Sequence, residues 1–539
     1  MLNFSDKTEK YILWGALIFA LVFSIVIRIR LLNVPLERDE GEYAYIGQQL
    51  LQGKLPFESA YSLKLPGTAM MYSLTFLVFG QTTAAIHFGL MLINIASVIL
   101  LVIITKRFFG RLVGFMAGFG FVFMSLSNSV HGFVAQTEHY LIFFVLLGIL
   151  LLQFSEKKAQ YWLSLLSGLA FGLAILMKQH AIFFLIWTMV YLLIKQQPWQ
   201  NKNWLTWLKR NSILIAGAIL PLSILIIIIW QRGVFPEFWL WTVQYAKEYL
   251  KLNTISGGVG NFLYCSLIII KSSILFLLVS AFGFIVLLRD RKEFLNKIVL
   301  ALLLIASILS FSMGLYFRAH YFITALPVLA IFFGFGMKIT LVHLKKIHGE
   351  RSAWALFVIL VVIILATDLF IKRGYYFFWP QNQVSEQTYQ TKFFSYSKEL
   401  SESVKPLLKK DEKMVIIGSE PEIYFYLKCT SATRYLYTYP FFEKQQFADA
   451  MSQEFLNEVL TEKPELIIYI YEPSSLGYYF LSEKTGIFQS LERFITQNYQ
   501  LIKFDDMSEE TKSDLRLNAT SKNIIDSIKT GVSVYEIKS

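Results

Sequence analysis

From residue 11 to about residue 371 the chain runs as apolar stretches separated by short polar connections, and after that the pattern changes. A helix of roughly 20 residues crosses about 30 Å of hydrocarbon. This spacing predicts eleven membrane spans, at residues 11–32, 85–105, 111–128, 137–154, 160–177, 180–195, 212–230, 268–288, 297–316, 320–342 and 353–371. The fifth and sixth are separated only by Lys178-Gln179-His180. Within the long connection 33–84, Tyr43, Ile46, Leu50 and Leu51 recur at helical spacing among the polar Glu42, Gln48, Gln49 and Gln52. That periodicity predicts an amphipathic helix lying at the interface, ended by Gly53 and Pro56. The apolar stretch from Thr68 to Phe79 is too short to span comfortably and reads as a second interfacial or re-entrant helix. In residues 231–262, Trp239, Trp241, Tyr245 and Tyr249 accompany Lys247, Glu248 and Lys251 as headgroup-depth anchors, with Gly257, Gly258 and Gly260 loosening the stretch up to the next span.

Beyond residue 371 the pattern is that of a small α/β domain. Buried-strand runs at Met414–Gly418, Leu466–Tyr471 and Val532–Ile537 alternate with helical stretches. Ser419-Glu420-Pro421-Glu422 carries the Ser-x-x-Glu spacing of a capping box, with Pro421 in the first turn. The predicted fold class is an α-helical polytopic membrane protein with a C-terminal extracytoplasmic α/β domain. Residues 1–371 would form the transmembrane domain, with the outer loop 33–84 carrying interfacial helices, and residues 372–539 the second domain.

Composition supports the membrane assignment. The chain is 55% hydrophobic and 16% charged, and a mean hydropathy of +0.51 is too apolar for a soluble globular protein. Lys106, Arg107, Arg111, Lys157, Lys158, Lys195, Lys209, Arg210, Arg289, Arg291, Lys292, Lys297, Lys345, Lys346 and Arg351 fall on alternate connections, which the positive-inside rule makes cytoplasmic. The amino terminus is then inside, whereas the loop around Asp39 and everything after residue 371 lie outside. Much of the net charge of +12 sits in those inside loops, so no nucleic-acid partner is expected. The two cysteines, Cys265 and Cys429, lie in different regions and exclude a cysteine-built metal site. The first span is too long for a cleaved signal peptide and is expected to stay. Asn518-Ala519-Thr520 matches a glycosylation sequon of the kind that arises often by chance.

Candidate chemistry collects in the first outer loop. Arg38-Asp39-Glu40-Gly41-Glu42-Tyr43 is followed by Tyr61-Ser62-Leu63-Lys64-Leu65-Pro66-Gly67. A carboxylate can deprotonate a hydroxyl and a lysine can neutralise a departing phosphate, so the pair suits transfer of a group carried on a lipid phosphate. Asp39, Glu40 and Glu42 are the carboxylates the loop offers. The plainer alternative is an interfacial charge cluster pairing with Arg28, Arg30 or Arg38. Glu138 opens the fourth span, where an acid also suits the helix dipole. Lys178 reads as a snorkelling lysine, and His180 is open. Arg318, with His320 and Tyr321, stands at the outer end of the ninth span, able to meet headgroups in general or one lipid phosphate in a cavity. Phosphate loops, dinucleotide fingerprints and His-Glu-x-x-His are absent from the sequence, so no nucleotide cofactor is expected.

With these residues the chain resembles the GT-C superfamily of integral-membrane glycosyltransferases, among them bacterial relatives of protein O-mannosyltransferases and of the lipid A aminoarabinose transferase. The likeness rests on Arg38–Tyr45, the Tyr61-x-x-Lys64-x-Pro66 element, Thr137-Glu138, and His320-Tyr321 leading into Ala325-Leu326-Pro327. It implies a sugar donor on a polyprenyl phosphate, drawn from the outer leaflet of a bacterial inner membrane, and an inverting attack by an acceptor hydroxyl. Asp39 matches the first-loop acid taken as general base or metal-adjacent carboxylate, with Glu40 orienting it or its helix, and Glu138 falls where relatives carry a second acid that in some of them joins the first in holding a divalent metal. Tyr43, Tyr61 and Lys64 match lipid-phosphate contacts, and Arg318, His320 and Tyr321 lie where relatives supply more. Leu63 departs from the pattern, since many relatives have an acid there. Two rivals stand beside this: a transporter or flippase of lipid-linked sugars, and a non-catalytic surface protein.

Overall fold

The computed structural model describes residues 4–158, 160–289, 294–409, 411–476, 486–507 and 531–538. Arg291, Lys292 and the Asn518-Ala519-Thr520 triplet lie outside them. Along the first part of the chain run α1 (Phe4–Arg30), α2 (Arg38–Leu51), α3 (Gly67–Phe79), α4 (Thr83–Phe109), α5 (Arg111–Leu126), α6 (Thr137–Lys158), α7 (Tyr161–Met177), α8 (Ile182–Gln196), α9 (Trp204–Gln231), α10 (Ile255–Ser272), α11 (Ile274–Arg289), α12 (Phe294–Ser312) and α13 (Leu326–Ile371). Among the described residues seven helical stretches are long and apolar enough to cross a membrane, and α3, α5, α7 and α11 are shorter apolar helices. The chain is a multi-pass membrane protein.

The residues divide into two compact units. The first comprises Met1–Leu32, His87–Ile228 and Asn253–Trp379, and the second Asn33–Ile86, Ile229–Leu252 and Pro380–Ser539.

In the first unit, helices approach closely where glycine replaces a side chain, the usual solution when lipid offers no hydrophobic drive for association. A Cβ on Gly168 would sit 2.0 Å from the Leu214 carbonyl oxygen, and one on Gly172 2.4 Å from that of Ala218, so α7 and α9 meet backbone to backbone. Gly283 and Gly336 do the same for α11 and α13. The expected break at Lys178-Gln179-His180 is a 3₁₀ turn between α7 and α8. The expected single span 268–288 is instead two helices, α10 and α11, parted at Ser273, whose hydroxyl accepts from the buried Lys372 ammonium at 3.1 Å. Gly257, Gly258 and Gly260 do not loosen this region. They sit in the opening turns of α10, where the Thr254 hydroxyl caps the Gly257 N–H and Gly258 leaves room for Leu315. α13 carries both of the last two expected spans, broken at Gly349 by a positive φ of 72°.

The second unit is built on a five-stranded sheet: β1 (Lys413–Ile417), β2 (Thr430–Ser431), β3 (Leu466–Tyr471), β4 (Tyr499–Asp506) and β5 (Gly531–Ile537), in the order β2-β1-β3-β5-β4. β2, β1 and β3 are parallel, while β5 and β4 run antiparallel to their neighbours. The three expected strands are present. β2 is too short to leave a pattern, and the mostly solvent-facing β4 lacks the apolar run that marks the others.

α2 belongs to this unit and departs from the expected surface helix, because Glu40 through Gln49 are all buried. It packs against α3 and against the helix Pro421–Leu427, sharing one core with β1, β3 and β5 through Tyr45, Ile46, Ile423, Tyr424, Ile416 and Ile468. Polar bonds fix the contact: Tyr45 Oη accepts from the Ser431 N–H, and Gln48 donates to the Phe425 carbonyl. α3 exposes Met70, Leu74, Leu77 and Val78. Trp241 and Tyr245, expected as headgroup anchors, are buried instead; Trp241 stacks on Tyr61 at 5.0 Å and Tyr245 donates to Glu443 at 2.6 Å.

The expected capping box does not form. Ser419 Oγ donates to the Ser475 carbonyl, because the loops after β1 and β3 are neighbours, and Glu420 turns to Arg38 at 2.8 Å. Glu422 is wholly buried under Gly41, where an added Cβ would lie 2.3 Å from the Glu422 backbone nitrogen. Gly41→Ala must therefore push α2 off this helix and is expected to destabilise the second unit by about 2 kcal/mol, read as a lower melting temperature of the purified chain. Burial, and then the neighbouring Glu420, push the Glu422 carboxyl up to about 8. Between about pH 4.3 and that value the folded chain holds a proton that the unfolded chain has lost. This group's contribution to stability is thus greatest at acidic pH, falls as pH rises through that window and levels off above it. Glu422→Gln is expected to flatten that slope in melts recorded from about pH 5 to about pH 8.

Candidate active site

α2 presents its acids through its first turn. Glu37 caps the helix, its carboxylate accepting from the Glu40 N–H at 2.9 Å. Burial, then the charges of Asp39 and Glu40, hold the Glu37 carboxyl well above the usual range. Residues three apart share a helix face, so Asp39 and Glu42 point together while Glu40 is directed elsewhere. Between them sits Lys64. Its ammonium lies 2.6 Å from Asp39 Oδ1 and 2.6 Å from Glu42 Oε2, with the Tyr43 ring 4.6 Å away.

The second carrier is the loop before α3. Ser62 Oγ accepts from the Lys64 N–H at 3.0 Å and donates to Glu42 Oε1, which ties the lysine's backbone to the acid that holds its head group. From the C-terminal part of the unit, the Tyr437 hydroxyl lies 2.9 Å from Glu42 Oε2 and stands also at 3.2 Å from the Arg38 carbonyl. Burial alone would lower the Lys64 ammonium. The carboxylates of Asp39 and Glu42 outweigh it and hold Lys64 well above its ordinary value, firmly protonated. Burial raises the Tyr437 phenol well above its ordinary range too, so it remains a donor. Glu42 is enclosed, its side chain 1% exposed, whereas Asp39 is 14% exposed and is the more open acid.

Tyr61 is not part of this cluster. Its hydroxyl donates to Glu454 at 2.8 Å and its ring lies between Trp241 and the Arg434 guanidinium. Glu40 is fully buried, its amide bound to Glu37.

The first unit holds a second cluster. Glu138, 1% exposed at the start of α6, accepts from the Lys178 ammonium at 2.6 Å, and that ammonium stands 3.5 Å from the centre of the Tyr321 ring. His320 packs edge-on against Tyr321 at 4.8 Å, with His131 beyond it at 5.8 Å. Lys178 therefore pairs with a buried acid instead of snorkelling. The other oxygen, Glu138 Oε2, is buried without a hydrogen-bond partner among the described residues. Arg318 is exposed, its guanidinium 5.8 Å from the Tyr316 ring.

Sequence reasoning passed over Lys178 and Tyr437 as site residues and did not separate Glu42 from Glu40. The helical phase of α2 carried the signal for Glu42; nothing local marks Tyr437. Among the described residues, no three or more His, Cys, Asp or Glu side chains gather as a metal site. Asp39 and Glu138 are each engaged by a lysine ammonium at 2.6 Å.

Residues 64–230, under a third of the chain, match the family model described as dolichyl-phosphate-mannose-protein mannosyltransferase. Among solved structures the fold resembles that of ArnT from Cupriavidus metallidurans bound to undecaprenyl phosphate, with a TM-score of 0.55 at 12% identity over 96% of this chain and 98% of that one. It also resembles the archaeal oligosaccharyltransferase AglB from Archaeoglobus fulgidus, solved with an inhibitory peptide and a dolichol-phosphate, with a TM-score of 0.51 at 12% identity over 92% of this chain and 73% of that one. No curated protein matches the chain at the sequence level. The chain has the fold of the GT-C membrane glycosyltransferases, as its loop motifs lead one to expect.

Removing one member of a buried ion pair leaves the other charge uncompensated. Lys178→Met is expected to cost about 3 kcal/mol as a loss of thermal stability in detergent, and adding Glu138→Gln to it should restore most of that loss.

Proposed function

We propose that the chain is a glycosyltransferase that moves a sugar from a polyprenyl-phosphate donor to an acceptor hydroxyl at the outer membrane face, with inversion at the anomeric carbon. The observation that carries this is the Lys64 ammonium held between Asp39 and Glu42 on the first outer loop. The likeness of fold to a protein solved with undecaprenyl phosphate supports it.

In this reading Asp39, the more open acid, takes the proton of the acceptor hydroxyl. The freed oxygen forms a bond to the anomeric carbon as the bond from that carbon to the phosphate oxygen breaks. The electron pair leaves on the phosphate, where charge grows in the transition state and a fixed ammonium has most effect. Lys64 supplies that charge, and Glu42 fixes its position. Tyr43 lines the same lysine. In the first unit Lys178, Tyr321 and His320, with Glu138 holding Lys178, make a separate cluster of a kind able to meet a lipid phosphate. No step is routed through a metal.

The amino terminus is assigned to the cytoplasm of a bacterial cell with this protein in its inner membrane. Residues 372–539 are assigned as an extracytoplasmic domain, most of which shares a compact unit with residues 33–86 and 229–252.

Asp39→Asn keeps the shape of the acid and removes its basicity. Transfer from a radiolabelled polyprenyl-phosphate sugar should fall by at least about 100-fold in membranes where the variant inserts as well as the parent. Undiminished transfer would remove Asp39 from the reaction.

A further inference from the structure

The acids around Lys64 outnumber it. Asp39 and Glu42 together carry one more negative charge than the ammonium can match, in a place where Glu42 is shut away from water. A buried carboxylate needs donors for its remaining lone pairs, and the structure supplies two that are neutral, the hydroxyls of Ser62 and Tyr437. Ser62 comes from the same loop as Lys64. Tyr437 comes from almost four hundred residues away, and its hydroxyl meets the very oxygen, Glu42 Oε2, that holds the ammonium.

We propose that Tyr437 is a positioning residue of the transfer site: by donating to Glu42 Oε2 it draws charge from that carboxylate, so that Lys64 stays shared with Asp39 and available to the leaving phosphate. This rests on the roles given to Asp39 and Lys64 above. Without the phenol, Glu42 binds the ammonium more tightly and pulls it from the Asp39 side.

The hydroxyl is placed by a chain of contacts that have no other evident purpose at the site. The Tyr437 ring packs at a tilt against that of Tyr439, with centroids 5.3 Å apart. The next residue along the chain, Thr438, is tied at both its N–H and its Oγ1 to the Gly418 carbonyl at the end of β1. The same segment reaches the start of α2, with Tyr437 Oη 3.2 Å from the Arg38 carbonyl, while Arg38 itself is clamped by Glu420 and Ser474. The sheet thus sets the height of one tyrosine over one glutamate. Charge-assisted hydrogen bonds are roughly twice as strong as neutral ones, which makes this bond the natural point at which the C-terminal residues act on the chemistry.

The test uses the full chain in detergent with a polyprenyl-phosphate sugar donor and compares Tyr437→Phe, Glu42→Gln, their double variant and Asp39→Asn. Tyr437→Phe is expected to lower kcat about tenfold with KM for the donor and the melting temperature nearly unchanged. In the Glu42→Gln background the same change should cost little, because the carboxylate through which Tyr437 acts is gone. Wild-type turnover in Tyr437→Phe, or an equal loss with and without Glu42, would overturn the proposal while Asp39→Asn still abolishes transfer. A loss of kcat that only tracks a fallen melting temperature would overturn it as well. Undiminished transfer by Asp39→Asn would instead bring down the reading on which it stands.

Discussion

One ammonium shared between two carboxylates organises the chemically capable part of this protein. Lys64 is largely withdrawn from water, and alone it would lose its proton more readily there; Asp39 and Glu42 reverse that balance. The arrangement is mutual, since Glu42 is equally unable to stand as an isolated buried charge. Each member therefore depends on the placing of the others. Most of what surrounds them in the second unit is explained by that demand.

The demand reaches the packing of α2. A helix whose cap and opening turns carry Glu37, Asp39, Glu40 and Glu42 would normally lie at a surface, yet here it is enclosed from Glu40 to Gln49. Glycine at position 41 lets the backbone of the helix Pro421–Leu427 come within contact of it, and Arg38 pairs with Glu420 beside that contact. The buried acids that remain are managed in two ways: Glu420 by an ion pair and hydrogen bonds, and Glu422 by holding its proton up to about pH 8. Burial that would be a liability elsewhere holds an acid-bearing helix in one position.

The first unit repeats the principle in another setting. Glu138 and Lys178 neutralise each other at the head of α6, and the Tyr321 face accepts the ammonium's charge by a cation–π contact. A lysine at the end of a membrane helix ordinarily reaches for headgroups. This one turns inward because a buried carboxylate costs more to leave unpaired than a solvated lysine gains.

Much of this was legible along the chain. Long apolar runs announced a polytopic membrane protein because every backbone group must be satisfied within a span. The glycine and proline punctuation placed α2 and α3, and β1 and β3 were visible because buried central strands are continuously apolar, while β5 showed as an alternation of apolar and polar residues. The loop acids and Lys64 could be singled out by type and spacing. What the sequence could not convey was partnership across distance. The failed capping box at Ser419, the inward turn of Trp241 and Tyr245, the break at Ser273 and the placing of Tyr437 over Glu42 all depend on groups remote in the chain. Local pattern determined which segments would be helix, strand or loop, and which residue types could do chemistry. Only the tertiary structure decided which charges are buried together, because the cost of burying a charge is set by the neighbours that folding brings to it and not by those beside it in sequence.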